Sequence, residues 1–356
     1  METQDQPVAW TTDVLPGFEQ RGLALPGGET ATLIRLRRTS GTGTANSGSP
    51  AGAAKNSAET GTTADGQGTD QPKPAVLYLH GFVDYFFQDH LAKAFESRGY
   101  RFYAIDLRGY GRSVEHSKDP DHPNFVPDVA VYSQDLDAAA DAIAQEEGHS
   151  ELAGIGHSTG GLIMPFWAAA RTGRLRALIL NSPWLDLNGN WLMRGPVTQF
   201  MHLLGKIAPM APISGLKAHY GHALHLETGG EWAYDLTWKP HDGFPTYPVW
   251  LSSVRRWQAR LKQGIEVGCP VLMMTSLRRG DPARAHDELV TTDSVLDPRQ
   301  MWRLAPKLGA DVEVRALEGG AHDLALSPEP VRGRYISEAL DWLDRAIAVP
   351  GQSNSG

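Results

Sequence analysis

Short apolar runs alternate with helical segments along most of this chain, and no other feature of the sequence constrains its fold as strongly. The apolar runs are residues 75–80, 101–106, 151–157, 176–181, 270–275 and 311–317, and the helical segments are residues 90–98, 131–147, 160–171, 298–308 and 330–347. Strands without polar alternation are buried on both faces, as in a parallel sheet covered by helices. The sequence therefore predicts an α/β fold whose central sheet is mostly parallel, has about eight strands and is flanked by helices.

Two stretches interrupt this alternation. Residues 39–72 are dominated by Gly, Ser, Thr and Ala and lack large apolar side chains, so they cannot bury enough surface to offset the entropy lost on ordering. We expect a disordered insertion in a surface turn there. Residues 183–267 carry six tryptophans but no strand pattern, which indicates a helical insertion over one edge of the sheet. The core then comprises residues 1–182 and 268–349, followed by a disordered tail at 350–356.

Charge and composition exclude several classes of protein. A net charge of −8 argues against a partner that binds through a broad basic face, such as nucleic acid or an anionic membrane. No apolar run approaches the roughly 20 residues of a membrane span, and the first residues lack the pattern of a secretory signal. A single cysteine, Cys269, cannot form an intramolecular disulfide or a zinc site, and we expect it to be buried as a small apolar residue. These features predict a cytoplasmic protein with no stable membrane insertion.

The sharpest local signal is the sequence G-H-S-T-G at Gly156–Gly160. It directly follows the predicted strand at 151–157 and opens the predicted helix at 160–171. A turn this tight strains the backbone of Ser158 and requires small neighbours, and it presents the serine hydroxyl at the carboxyl edge of the sheet, where open α/β sheets bind ligands. We therefore expect Ser158 to be a nucleophile rather than part of a structural turn.

A serine hydroxyl needs a base that removes its proton during attack. His322, in G-G-A-H-D, follows the last predicted strand and is the candidate base. The acid that would orient this histidine is expected after the strand at 270–275. The polar segment that follows this strand offers Asp281, Asp287 and Asp293, and the residues alone leave the choice open.

Four motifs together resemble the α/β-hydrolase family, and the resemblance covers nearly the whole chain outside residues 39–72. They are H-G-F at 80–82, D-L-R-G-Y-G-R-S at 106–113, the turn around Ser158, and the late His322, in the family's order. Within the family the layout is most similar to the monoglyceride lipase and lysophospholipase branch, also described as serine aminopeptidase S33-like. That resemblance places a cap domain at residues 183–267.

The resemblance also implies roles for individual residues. The family's segment before the next helix matches T-T-D-S-V-L-D-P-R-Q, so Asp293 is the favoured acid, with Asp281 as the fallback. Backbone amides of Phe82 and Thr159 are expected to form the oxyanion hole, and Phe82 and His157 are expected to contact substrate. Asp106 and Arg108 are interpreted as structural, and Asp323 as a stabiliser of its loop. No metal or other cofactor is implied.

The implied function is cofactor-independent hydrolysis of carboxylic esters of acyl chains through a Ser-His-Asp triad and an acyl-enzyme. Serine at position 158 argues against relatives that attack with a carboxylate, such as epoxide hydrolases. The lipase branch often has Glu-His after its H-G loop, where this chain has Asp84-Tyr85. An acyltransferase, a peptidase and a non-catalytic ligand-binding relative are the alternatives. The expected partner is a small-molecule ester, and the sequence says nothing of an oligomer.

Overall fold

The computed structural model describes residues 9–38, 73–148, 150–187, 191–213 and 218–348, without the side chains of 191–198. The disorder that the sequence predicts for residues 39–72 and 350–356 falls outside these described residues and stays a prediction.

A nine-stranded sheet runs through the described part of the chain. Its strands are β1 (Thr11–Thr12), β2 (Phe18–Leu25), β3 (Glu29–Leu36), β4 (Ala75–Leu79), β5 (Phe102–Asp106), β6 (Leu152–His157), β7 (Leu175–Asn181), β8 (Val271–Ser276) and β9 (Val312–Leu317). They lie in the order β1-β2-β3-β5-β4-β6-β7-β8-β9. Pairing is antiparallel from β1 to the β3–β5 contact and parallel from β5 to β9. The predicted, mostly parallel sheet is confirmed.

Helices cover both faces of this sheet. They are α1 (Asp89–Ser97), α2 (Tyr132–Glu147), α3 (Gly160–Ala170), α4 (Trp191–Ile207), α5 (Ala218–Leu224), α6 (Pro248–Gln263), α7 (Pro298–Leu304) and α8 (Val331–Ala348). Alternate residues of each central strand enter different apolar clusters: on β4, Leu77 and Leu79 pack with α2 and α3, whereas Val76 and Tyr78 pack with α1 and α8. Burial on both faces explains why these strands are apolar throughout.

The antiparallel hairpin of β2 and β3 at the sheet edge is only partly visible in the sequence. β3 overlaps an apolar run, whereas β2 reads FEQRGLAL and keeps several polar residues half-exposed. β1 at the sheet edge has only two residues, and the mixed polarity of β2 lacks the continuous apolar signal of the central strands, so the pattern does not predict β1 and β2. The structure therefore adds these two strands to the predicted core.

The chain between β7 and β8 carries α4, α5 and α6 and contributes no strand to the sheet within the described residues. α6 begins at Pro248, which suits the first turn of a helix because its missing N–H has no intrahelical partner there. Its Trp250 packs against Phe82, with ring centroids 4.6 Å apart. This helical segment thus lies beside the loop that follows β4. In the described chain, no helix has both the length and the apolar character needed to cross a bilayer.

Candidate active site

The turn between β6 and α3 holds Ser158 in a left-handed conformation, with φ of +51°. Its flanking glycines are required by close approach of the backbone: a Cβ on Gly156 would lie 2.8 Å from the Gly160 carbonyl oxygen, and one on Gly160 would lie 2.5 Å from that of His80. Left-handed backbone at a non-glycine residue costs free energy and persists only where surrounding structure imposes it. The packed glycines supply that constraint and leave the Ser158 hydroxyl at the carboxyl edge of the sheet.

Ser158, His322 and Asp293 form a continuous chain of hydrogen-bonding distances. The Ser158 Oγ lies 3.1 Å from His322 Nε2, and His322 Nδ1 lies 3.0 and 3.1 Å from the two carboxylate oxygens of Asp293. A carboxylate only accepts hydrogen bonds, so the Nδ1 atom carries the proton in neutral His322. The Nε2 lone pair then faces the serine hydroxyl, which is the orientation a general base requires.

Asp293 reaches His322 from a buried position beyond β8. Its side chain is fully buried, and its Oδ1 also accepts hydrogen bonds from the backbone amides of Val295 and Leu296, at 3.0 and 2.7 Å. Asp281 is exposed and accepts from the amide of Ala283. Of the aspartates that the sequence leaves open as the acid, Asp293 is the one whose carboxylate lies within hydrogen-bonding distance of His322.

Two backbone amides beside Ser158 have no hydrogen-bond acceptor among the described residues, namely those of Phe82 and Thr159. The loop that carries Phe82 lies against the serine turn, because a Cβ on Gly81 would be 3.1 Å from the Ser158 Cβ. Buried N–H groups are almost always paired in folded proteins. Unpaired donors next to a nucleophile are therefore available to an oxyanion that forms there.

The loop after β4 is held in place by polar groups at the end of β5. The Nε2 atom of His80 accepts from the amide of Leu107 at 3.1 Å, so this buried ring is neutral, and burial lowers its pKa. Asp106 accepts from the amide of Phe86 at 2.9 Å and pairs with Arg112 at 2.8 Å. Asp106 thus stabilises the loop after β4 through these hydrogen bonds, and it forms none with Ser158 or His322.

Two further residues that the sequence analysis interprets as structural are Arg108 and Cys269. Arg108 pairs with the buried Asp135 at 2.7 Å on α2. Cys269 precedes β8 and is half-buried, less than the sequence predicts. Partial burial, with smaller contributions from Asp311 and Glu266, raises its thiol pKa to about 12. A thiol with so high a pKa is a poor nucleophile at neutral pH.

Asp323, next to His322, is buried and bonded to other elements. Its carboxylate accepts from Asn181 Nδ2 at 2.7 Å, Gln88 Nε2 at 3.0 Å and the amide of Ala325 at 3.0 Å. Burial alone would raise the pKa of this carboxyl, but the charge interaction with His157 and these hydrogen bonds outweigh burial and lower it. Asp323 therefore ties the histidine loop to β7 and to the loop after β4.

The helical segment between β7 and β8 supplies polar groups to the site that the sequence analysis missed. The Tyr220 hydroxyl accepts from the amide of Asp323 at 3.0 Å, and the Lys239 ammonium donates to the buried carboxylate of Asp84. Neither residue belongs to a motif with recognisable spacing, and each meets its partner across a long stretch of chain. The hydrophobic periodicity of the sequence therefore does not predict these two contacts.

One group of residues has the composition of a metal site. Asp84, His157 and Asp323 are buried and place one potential ligand atom each within 4.8 Å of the others. The Lys239 ammonium, bonded to Asp84, already supplies a positive charge at this point. That charge opposes a cation, so these residues fit a bound metal poorly.

A cavity of about 400 Å³ opens onto Ser158 and His322. Its volume is typical of a site for a small molecule. Phe82 and His157, the expected substrate contacts, both line it. Its apolar lining also includes Trp184, Leu187, Leu224, Val295, Leu296 and Leu326, and its polar lining includes Asp84, Tyr220, Tyr234, Lys239 and His241. A ligand of this cavity would meet mainly apolar surface with a few polar groups.

This fold, with a serine on the strand-to-helix turn, defines the class of α/β-hydrolases. Residues 70–228 match the family described as serine aminopeptidase, S33. The chain therefore has the fold of the α/β-hydrolases and resembles the monoglyceride lipases among them.

Individual curated relatives are similar to this chain over part of their length. A monoacylglycerol lipase of Mycolicibacterium smegmatis is 26% identical over 148 residues, which are 41% of this chain and 50% of the relative. The epoxide hydrolase 4 of Mus musculus is 32% identical over 134 residues, 37% of this chain and 34% of the relative. The matching region thus spans half or less of these curated relatives.

Solved structures share the fold over much more of the chain. The monoacylglycerol lipase of Paleococcus ferrophilus has a TM-score of 0.55 at 20% identity, and the match covers 77% of this chain and 96% of that protein. A soluble variant of the monoglyceride lipase of Saccharomyces cerevisiae has a TM-score of 0.58 at 18% identity and covers 97% of this chain and 98% of its own. At these identities the likeness concerns the fold.

Proposed function

We propose that this α/β-hydrolase is a serine hydrolase that cleaves carboxylic esters of acyl chains. The observation that carries the proposal is the hydrogen-bonded chain from Ser158 Oγ through His322 to Asp293. It supplies a nucleophile, a base with its lone pair directed at that nucleophile, and a buried acid behind the base.

The first half of the reaction forms an acyl-enzyme. As the Ser158 oxygen bonds to the ester carbonyl carbon, its proton passes to His322 Nε2. The carbonyl oxygen becomes an oxyanion, which accepts hydrogen bonds from the Phe82 and Thr159 amides. Collapse of this intermediate breaks the bond to the alcohol oxygen, and the alcohol leaves with the proton from His322. The Asp293 carboxylate stabilises His322 while the ring is positively charged.

The second half of the reaction repeats these steps with water. His322 removes a proton from water as the water oxygen bonds to the acyl carbon. Collapse breaks the bond to Ser158 Oγ, returns the proton to the serine and releases the carboxylic acid. An acyl chain suits the cavity because its wall is largely apolar, and residues 183–267 act as the cap that supplies part of that wall.

Ester chemistry is favoured over epoxide opening although epoxide hydrolases are among the relatives. Those enzymes attack with a carboxylate, whereas this chain has a serine on the turn. The relatives named as monoacylglycerol lipases suggest a substrate with one acyl chain. Peptidase, acyltransferase and non-catalytic binding activities have no specific contact in their favour, and a cytoplasmic location stays a prediction from sequence.

The test is hydrolysis of p-nitrophenyl esters from acetate to palmitate. Ser158→Ala should abolish turnover, whereas Ser97→Ala, at an exposed serine on α1, should retain it. A fluorophosphonate probe should label the wild type and Ser97→Ala but not Ser158→Ala. Turnover that survives Ser158→Ala, or a wild type that neither turns over esters nor reacts with the probe, would refute the proposal.

A further inference from the structure

Residues 277–292 separate the end of β8 from Asp293, so the acid does not follow its strand directly. We infer that Gly280 is the positioning residue that lets this segment hold Asp293 against His322. The inference rests on the proposed function, in which Asp293 is the acid of the triad.

Residues 278–280, at the start of this segment, form hydrogen bonds with both the amide and the carbonyl of Asp293, at its end. The Gly280 amide donates to the Asp293 carbonyl at 2.8 Å, and the Asp293 amide donates to the Arg278 carbonyl at 2.9 Å. This short parallel bridge begins immediately beyond β8, where Leu277 still donates to the Leu317 carbonyl of β9. The main chain of Asp293 is therefore attached to the sheet through residues 278–280.

Only glycine fits at position 280. A Cβ there would overlap the hydroxyl oxygens of Thr292 and Ser294, the two neighbours of Asp293. Both side chains are buried, Thr292 Oγ1 donates to the Glu288 carbonyl at 2.6 Å, and the two hydroxyl oxygens lie 3.3 Å apart, so a shift of either side chain loses a contact. The backbone of Gly280 is not left-handed, so a substitution there acts through this overlap alone.

Displacement of Asp293 would act directly on the base. Its contacts with His322 Nδ1 are 3.0 and 3.1 Å, slightly longer than the roughly 2.7–2.9 Å of a charge-assisted hydrogen bond. Gly280 does not line the cavity, whereas Pro282 of the same segment does. A Cβ at Gly280 would also meet Ser294, which lines the cavity. A change at Gly280 should therefore lower kcat by a larger factor than it raises KM, whereas Pro282→Ala should change mainly KM.

The experiment measures kcat and KM of Gly280→Ala on the p-nitrophenyl ester that the wild type hydrolyses best. A displacement of about 1 Å can lower a catalytic rate by up to roughly 100-fold, so we expect a loss between about 10- and 100-fold. The matched control is Gly22→Ala on β2, where an added Cβ meets only the Thr30 methyl at 3.5 Å. That variant should keep the wild-type kcat.

Two further backgrounds separate positioning from a general loss of structure. In the Asp293→Asn background, Gly280→Ala should lower the residual kcat little, because residues that act as a unit are not additive. In the Thr292→Ala/Ser294→Ala background, which removes the overlapping oxygens, Gly280→Ala should again have little effect. If circular dichroism shows that Gly280→Ala alone does not fold, the test uses this triple variant, and its kcat is compared with that of the Thr292→Ala/Ser294→Ala background.

Wild-type kcat in Gly280→Ala, or the same fold-loss with and without Asp293, would overturn the inference. The inference would also be overturned if Gly280→Ala lowered kcat by the same factor in the Thr292→Ala/Ser294→Ala background as in the wild type. Fluorophosphonate labelling of Ser158 is measured in parallel. Absence of labelling and turnover in the wild type would instead refute the proposed function.

Discussion

The Tyr220 hydroxyl accepts a hydrogen bond from the backbone N–H of Asp323, the residue that follows His322. The Tyr220 ring also lies edge-on to the His322 ring, with centroids 6.1 Å apart. Tyr220 belongs to α5, in the segment between β7 and β8, whereas His322 follows β9. A helix outside the sheet thus contacts the loop that carries the proposed base.

We expect Tyr220→Phe to lower kcat/KM by about tenfold, because a buried amide left without an acceptor costs about 1–3 kcal/mol or must shift to find one. The measurement is ester hydrolysis alongside thermal unfolding. The control is Tyr335→Phe on α8, since the Tyr335 hydroxyl is buried and has no hydrogen-bond partner among the described residues. Equal activity of the two variants would show that the Tyr220 contact does not serve the site.

Asp293→Asn should lower kcat by roughly 10³- to 10⁴-fold, because an amide in place of the carboxylate neither fixes the tautomer of His322 nor stabilises its charged form. Single-turnover and steady-state kinetics measure the loss. Asp281→Asn is the matched variant, because Asp281 is the exposed alternative in the same segment and does not contact His322. If Asp281→Asn were the more damaging change, the assignment of the acid would be wrong.

Lys239→Met should destabilise the protein by about 3 kcal/mol, since it leaves the buried Asp84 carboxylate without its cation. Asp84→Asn in the same chain should recover much of that loss, because the uncompensated charge is then gone. Urea unfolding of both single variants and the double variant gives the coupling free energy. A double variant as unstable as the sum of the two single variants would show that the pair is not coupled.

Burial lowers the pKa of His80 below its usual value near 6.5. Below that pH the unfolded state binds a proton that folded His80 does not, so the free energy of unfolding falls as the pH decreases. The contribution of one such group is at most about 1.4 kcal/mol per pH unit. His80→Gln should flatten the decline of unfolding free energy between pH 7.5 and 5.5, as measured by urea unfolding at each pH. Equal slopes in the wild type and in His80→Gln would contradict this prediction.

Central strands, helices and the serine turn could be predicted because their signals are local. An apolar run such as 75–80 is buried on both faces wherever it pairs, and the motif G-H-S-T-G lies directly between a strand pattern and a helix pattern in the sequence. The hairpin of β2 and β3 was harder to predict because β2, which lies beside the two-residue edge strand β1, has mixed polarity. β2 forms a strand because it pairs with β3, and its own residues show no periodic apolar pattern that would predict it.

The sequence by itself determined the α/β architecture, the place of Ser158 between a strand and a helix, and a late histidine in the loop after the last strand. Only the tertiary structure decided which aspartate meets that histidine and which residues of the helical segment approach it. Asp281, Asp287 and Asp293 are chemically equivalent, and the choice among them depends on how the chain beyond β8 folds back. Such contacts join residues far apart in sequence, so their distances and directions follow from packing and not from local propensity or periodicity.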